Sequence, residues 1–317
     1  MSHKLSIKAK TVTLRQGQSL AKVIPVPQGR TTEAVIQELT RYYTESGPDY
    51  QDWSSNYHMH FGFYRWGLNP LRRERMLEEM SRQVLLRLGI DATDGARLLD
   101  MGCGLGATAR YAAAVFPTAH ITGVTIVPWQ VEQARRVTGQ ANLSKQIRIV
   151  KADYTNTFFT TNKFDGIYAI ESMCYASGLA KQDFVEEAFR LLKPGQKLVV
   201  ADGFYKHTRP MNRLLKFCAD ASCRFWALET YAGLEAYIEQ LKQAGFRDIK
   251  IEEKSWNLVP SLLFVPWVAT KFLFKEILIR RSHMSRVRWG HVYAPFLGIV
   301  LGLARKRFGY YLITATK

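Results

Sequence analysis

The sequence predicts an α/β protein built on a mostly parallel sheet, and three observations carry that reading. From Gly95 onward, short apolar segments alternate with segments of helical period. Three glycines at alternate positions follow the first of the apolar segments. Two further apolar segments each end in a short polar motif just before a helix or a turn, the arrangement of strands whose carboxyl ends share one edge.

Thr32–Thr44 places Ala34, Val35, Leu39, Tyr42 and Tyr43 at helical spacing, and Leu71–Leu88 does the same with Met76, Leu77, Met80, Val84, Leu85 and Leu88. Between them lies an aromatic loop, Tyr50–Trp66. Strands are expected at Arg97–Met101, His120–Thr125, Ile147–Lys151, Phe164–Ile170 and Lys197–Asp202. Helices are expected between them at about Ala107–Val115, Pro128–Gly139 and Lys181–Leu192. A helical insertion over Met211–Ala244 leads to a strand at Arg247–Glu253, and a second insertion over Trp256–Arg305 leads to a closing strand at Phe308–Thr316. The organisation is therefore a flexible basic arm (residues 1–30), N-terminal helices with an aromatic lid (31–90), and an α/β core (91–317) with helical insertions at about 208–245 and 256–305.

The 317 residues carry 44 Lys and Arg against 27 Asp and Glu, a net charge of +17. The excess sits at the ends: Lys4, Lys8, Lys10, Arg15, Lys22 and Arg30 precede the first acid, Glu33, and from Lys271 onward Glu276 is the single acid. Such a field attracts phosphate on a small substrate, an anionic membrane or nucleic acid, or simply keeps the protein in solution. The four cysteines form neither a CxxC pair nor a disulfide framework, which points to a reducing, cytoplasmic location. Two apolar runs, Leu258–Thr270 and Val292–Ala304, fall short of the ~20 residues a spanning helix needs, so they read as buried or membrane-peripheral segments.

The segment Leu98-Leu99-Asp100-Met101-Gly102-Cys103-Gly104-Leu105-Gly106 carries the strongest chemical signal. Gly102 and Gly104 let the backbone turn and approach a ligand closely, and Asp100 suits a ligand ammonium. The spacing is GxGxG and not the GxGxxG of a dinucleotide site, where Asp100 would also repel phosphate. At the second strand's end, Thr125 and Gln130 suit ribose hydroxyls; at the third, Asp153 and Tyr154 suit an adenine's amino group and face.

These motifs resemble the class I S-adenosylmethionine-dependent methyltransferases. The resemblance covers about Thr40 to Val200. It implies a Rossmann-like, seven-stranded sheet with an antiparallel last strand, and S-adenosylmethionine as cofactor. Within that superfamily, Tyr168-Ala169-Ile170-Glu171-Ser172-Met173-Cys174-Tyr175-Ala176 and Gly123-Val124-Thr125-Ile126 look like the sterol C-methyltransferases. The loop Asn56-Tyr57-His58-Met59-His60-Phe61-Gly62-Phe63-Tyr64 resembles the lids of tocopherol and prenyl diphosphate C-methyltransferases. By that resemblance Asp100, Gly102 and Gly104 bind the methionine part, Thr125 and Gln130 the ribose, and Asp153 and Tyr154 the adenine, with Tyr43 in the same cofactor set. Thr125 stands where the family often has an acid.

A sulfonium methyl is already electrophilic, so its transfer needs alignment and exclusion of water. An alkene acceptor would leave a carbocation, which calls for aromatic faces and a base. Glu171 is the candidate base, with Tyr57 and His58 as further catalytic candidates; it also reads as a residue that orients the cofactor or caps a helix. His60, Phe61, Tyr64 and Tyr175, with Trp66, are candidates to line the acceptor cavity. His-x-His without a further ligand cluster does not predict a metal site. The insertions and the basic tail suggest a greasy acceptor, sterol-like or diphosphate-bearing. Small-molecule O- or N-methylation and a non-catalytic membrane-surface role remain open. Nucleic acid is disfavoured because Ile170-Glu171-Ser172-Met173 lacks the Asn/Asp-Pro-Pro-aromatic turn of base-amine methylases. Oligomeric state is not legible.

Overall fold

A computed structural model describes residues 32–91, 95–207, 209–281 and 284–317. The basic arm expected at residues 1–30 lies outside these. The described chain forms α1 (Thr32–Ser46), α2 (Tyr50–Trp53) and α3 (Arg73–Leu88), then alternates β1 (Arg97–Met101), α4 (Ala107–Val115), β2 (His120–Thr125), α5 (Pro128–Gln140), β3 (Ile147–Lys151), β4 (Phe164–Ile170), α6 (Gln182–Leu191) and β5 (Leu192–Tyr205). The remainder is α7 (Arg213–Phe225), β6 (Ala232–Gly233), α8 (Leu234–Gln243), β7 (Arg247–Glu253), α9 (Ser255–Leu262), α10 (Phe264–Leu273), a π-helical turn (Phe274–Ile279), α11 (Arg286–Leu303) and β8 (Phe308–Thr316).

The sheet order is β3-β2-β1-β4-β5-β8-β7. The first five of these strands run parallel, and β8 runs antiparallel to both β5 and β7. The expected seven strands with an antiparallel last strand form this path, and the short β6 adds an eighth beside the end of β5. Order reverses between β1 and β4, so the crevice outside their carboxyl ends is where such a sheet binds ligands. The four strands from β1 to β4 are apolar on both faces because helices cover both. One face packs Leu99, Val124, Ile167 and Val200 against Phe184 and Val185 of α6 and Tyr237 of α8. The other packs Leu98, Ile121 and Tyr168 against Met80 and Val84 of α3 and Ala109 and Ala112 of α4. The alanines let α4 approach closely.

Two expectations need correction. β5 is longer than Lys197–Asp202, because Pro194 and Gly195 do not end the strand; the β4 pairing shifts register there, between Phe164 and Gly166, and the strand continues to Tyr205. The insertion at Met211–Ala244 is not wholly helical, since Ala232 and Gly233 pair with Phe204 and Tyr205. Two residues are too few to show alternation in a sequence.

Candidate active site

Two cavities meet at the crevice. The first, of about 200 Å³, is lined by Asp100, Gly102, Gly104, Thr125, Gln130, Asp153 and Tyr154, together with Tyr43, Tyr57 and Ser172. The second, of about 600 Å³, lies between α1, the aromatic loop and the C-terminal insertion, and is mostly apolar. Tyr43, Met59, His60, Glu171 and Tyr175 line both and form the partition.

β1 delivers Asp100 into the first cavity, where its Oδ2 has no hydrogen-bond partner and neither does the neighbouring Tyr168 hydroxyl. Burial pushes its carboxyl up to about 8. A buried acid left unpaired is costly, and an incoming ammonium supplies the missing donor. Gly102 turns at φ 93°, and a Cβ there would stand 2.4 Å from Cβ of Ser172, whose hydroxyl donates to the Met101 carbonyl at 2.5 Å. Gly102→Ala is therefore expected to cost about 2 kcal/mol of stability and at least a tenfold loss of S-adenosylhomocysteine affinity, measured by urea unfolding and calorimetry. Thr125 donates to Gln130 Oε1 at 2.5 Å, and the Val127 N–H donates to Thr125 Oγ1 at 3.3 Å, which preorganises the polar pair. Asp153 uses one oxygen to cap its own turn through Thr155, and Tyr154 is fixed by donating to the Ser172 carbonyl at 2.8 Å. These residues fit the methionine, ribose and adenine parts of an S-adenosyl cofactor.

Glu171 ends β4 in the left-handed region (φ 48°), a strain of order 1 kcal/mol held by the surrounding sheet. Its Oε1 accepts from the Phe61 N–H and from the Tyr310 hydroxyl, both at 3.0 Å. Both hydrogen bonds fall on one oxygen, Oε1. Burial pushes this carboxyl up to about 8, offset in part by the Phe61 N–H. The aromatic loop is thus tied directly to the carboxylate. Tyr43 donates to Tyr175 at 2.7 Å across the partition, and burial raises both phenols well above their usual range, so both present neutral rings.

The sequence reading made His58 a catalytic candidate and His60 a lining residue, and of the two the structure places His60 alone in the cavity walls. His60 Nδ1 lies 2.9 Å from the Phe61 carbonyl, which can only accept; Nε2 of neutral His60 is then an acceptor, and His58 Nδ1, 3.1 Å away, must donate to it. Burial holds His60 down at about 4 and His58 well below its usual value. His58 lines neither cavity, so its candidacy as a catalytic group is corrected to a support for His60. Tyr64 also lines neither; its backbone pairs with Asn257. Trp66 is 90% exposed, and Tyr57 faces the cofactor cavity and not the acceptor cavity. Phe61 lines the larger cavity. Among the described residues no cluster of three or more His, Cys, Asp or Glu could hold a metal.

Several site residues had no signal in the sequence. Tyr310 reaches Glu171 from the far end of the chain because β8 lies beside β5. Asp202 lines the acceptor cavity and accepts from the Cys174 and Gly203 N–H groups. Lys181, fully buried at the start of α6, donates to the carbonyls of Cys174, Ala176 and Thr230 at 2.6–2.9 Å and so fixes the loop after Glu171. Lys181→Met strands three buried carbonyls and is expected to destabilise the fold by about 2–3 kcal/mol, with the change read by urea unfolding. Over the acceptor cavity, Arg288 grips Asp49 at 2.9 and 2.7 Å and Lys275 grips Asp52 at 2.9 and 2.8 Å, which fastens the N-terminal elements to the insertion.

A family model described as a methyltransferase domain matches residues 98–195. Methyltransferase phqN of Penicillium fellutanum is 36% identical over 203 residues, 62% of this chain and 59% of that protein. Sterol 24-C-methyltransferase ERG6A of Gibberella zeae is 34% identical over 164 residues, 51% of this chain and 41% of that protein. The matches to these two relatives thus span less than two thirds of their lengths. Among solved structures, the cyclopropane synthase MmaA2 of Mycobacterium tuberculosis has a similar fold, with a TM-score of 0.75 at 17% identity over 89% of this chain and 98% of that one. Residues 98–195 thus carry a methyltransferase domain, and the crevice it helps to line offers groups that suit an S-adenosyl cofactor.

Proposed function

We propose that this protein transfers a methyl group from S-adenosylmethionine to a carbon of a hydrophobic, uncharged acceptor with a sterol- or isoprenoid-like skeleton. The observation that carries this is Glu171: a buried carboxyl on the wall between the polar crevice at Asp100 and a large apolar cavity. A volume of about 600 Å³ lies within the range of pockets that bury most of a drug-sized ligand. The cofactor supplies the electrophilic methyl. Tyr43 and Tyr175 supply electron-rich faces beside the partition, where an acceptor alkene would acquire positive charge as its new carbon–carbon bond forms. Glu171 Oε2 then takes a proton from a neighbouring carbon, and the electrons of that C–H bond restore an alkene. His60, neutral and bonded through both ring nitrogens, contributes shape and an uncharged wall.

The lining argues against a diphosphate-bearing acceptor. Among the described residues that line the acceptor cavity, Arg305 is the sole Lys or Arg, and it is paired with Glu253 and stacked 5.1 Å from Trp256. Four carboxyl groups line it: Asp49, Asp52, Glu171 and Asp202. Asp49 and Asp52 are paired with Arg288 and Lys275, which leaves Glu171 and Asp202 to favour an amine as a second reading, with Glu171 removing the ammonium proton. Incubation with labelled S-adenosylmethionine and a panel of sterols, prenylated phenols, amines and farnesyl diphosphate distinguishes them. A new carbon–methyl bond in a neutral acceptor is the expected product; label confined to nitrogen or oxygen would overturn the carbon assignment.

A further inference from the structure

Eleven of the nineteen exposed large apolar side chains among the described residues lie between Trp256 and Leu303. α9, α10 and the π-helical turn run on almost without a break from Ser255 to Ile279. Along that rod Leu263, Trp267, Lys271, Phe274 and Leu278 follow one another at steps of four, four, three and four residues, so they share one face, and all are exposed. Trp256, Leu263 and Leu303 are 72%, 73% and 77% exposed and also line the acceptor cavity, which therefore opens through this same surface.

The segment that carries the opening is strongly basic, although Lys254, Lys275, Arg288 and Arg305 are paired with Glu252, Asp52, Asp49 and Glu253. From Lys254 to Lys317 there are eleven Lys and Arg and a single acid, Glu276. Glu276 is buried and bound to Arg280 and Arg288, and the cations around it outnumber it. Lys271, Arg280, Arg281, Arg286 and Lys306 stand exposed. An exposed apolar stripe bearing a tryptophan and flanked by cations fits the boundary between acyl chains and anionic headgroups.

We propose that this face docks on an anionic lipid bilayer, with the mouth of the acceptor cavity turned toward the acyl chains. A hydrophobic acceptor then passes between membrane and cavity without crossing water. The docking itself does not require that the acceptor be methylated on carbon, although the entry route rests on the reading of the larger cavity as the acceptor site.

The test is flotation of the full chain with phosphatidylcholine vesicles, with and without phosphatidylserine. Partitioning at least tenfold stronger onto the phosphatidylserine vesicles, weakening as salt is raised, is expected. Trp267→Glu combined with Leu278→Glu, at two exposed positions outside both cavities, should reduce partitioning at least tenfold. The thermal shift given by S-adenosylhomocysteine should stay unchanged in that variant, which also reports that it is folded. Equal partitioning of variant and wild type, or no preference for phosphatidylserine, would overturn the proposal. So would a dimer in sedimentation velocity that the variant abolishes while the wild type ignores vesicles, because a second copy would then be the occupant. Vesicle binding with label transferred only to amines would defeat carbon methylation and leave the docking intact.

Discussion

Glu171→Gln is expected to lower turnover by a factor of about 10² to 10⁴, the usual contribution of a positioned base, while leaving S-adenosylhomocysteine affinity within about threefold. The amide keeps the shape of the carboxyl, and its oxygen still accepts from Phe61 N–H and the Tyr310 hydroxyl. What it loses is basicity. Burial holds the wild-type carboxyl up at about 8, so below that pH most of it is protonated and inactive as a base. Wild-type turnover should rise about tenfold per pH unit between 6 and 8 and then level, whereas the residual rate of the variant should be flat. A pH profile of kcat for both proteins, with affinity from calorimetry, decides it; an unchanged rate in the variant removes Glu171 from the chemistry.

That glutamate also marks how far the sequence could be read. Its place just past β4 was legible, because strand and glycine signals are local and the core strands from Arg97 to Ile170 have the bounds that alternation of apolar and turn residues predicts. Asp100 and the polar groups at the ends of β2 and β3 were legible for the same reason. The acceptor side was not. It is assembled from residues far apart in the chain: Tyr310 lies 139 positions from the carboxylate it touches. Nothing local marks that meeting. The aromatic loop shows the complementary failure, since Tyr64 and His58 sit in the right segment and face the wrong way. A loop without a period gives no rule for which side chains point inward.

The second large effect concerns Asp100. Replacing it with Asn removes the charge that meets the cofactor's ammonium, worth about 1.5–3 kcal/mol for a charge-assisted hydrogen bond, so S-adenosylmethionine should bind roughly ten- to hundredfold more weakly at pH 8. The wild-type protein carries a further signature. With its carboxyl pushed up to about 8, the unliganded protein must release a proton to bind the ammonium. Affinity should therefore climb about tenfold per pH unit from 6 to 8, and stop climbing where the ligand's own amino group begins to deprotonate. The Asp100→Asn substitution abolishes that slope. Stability moves the other way. Between about 4 and 8 the unfolded chain has released protons that folded Asp100 and Glu171 still hold, so the unliganded fold weakens as pH rises through that window. Calorimetry of cofactor binding across pH, beside thermal melts with and without S-adenosylhomocysteine, checks both directions; a pH-independent affinity would refute the assigned role of Asp100.

The placement of β8 between β5 and β7 reaches beyond the finished enzyme. Residues 308–316 are threaded into the interior of a sheet whose other strands are all made earlier, and they bring with them the hydroxyl that steadies the reactive carboxylate. Until that stretch is made, β7 has no neighbour to pair with and the outer edge of β5 lacks its longest partner. Closure of the sheet between β5 and β7 and the hydroxyl that bonds Glu171 therefore arrive in one and the same strand.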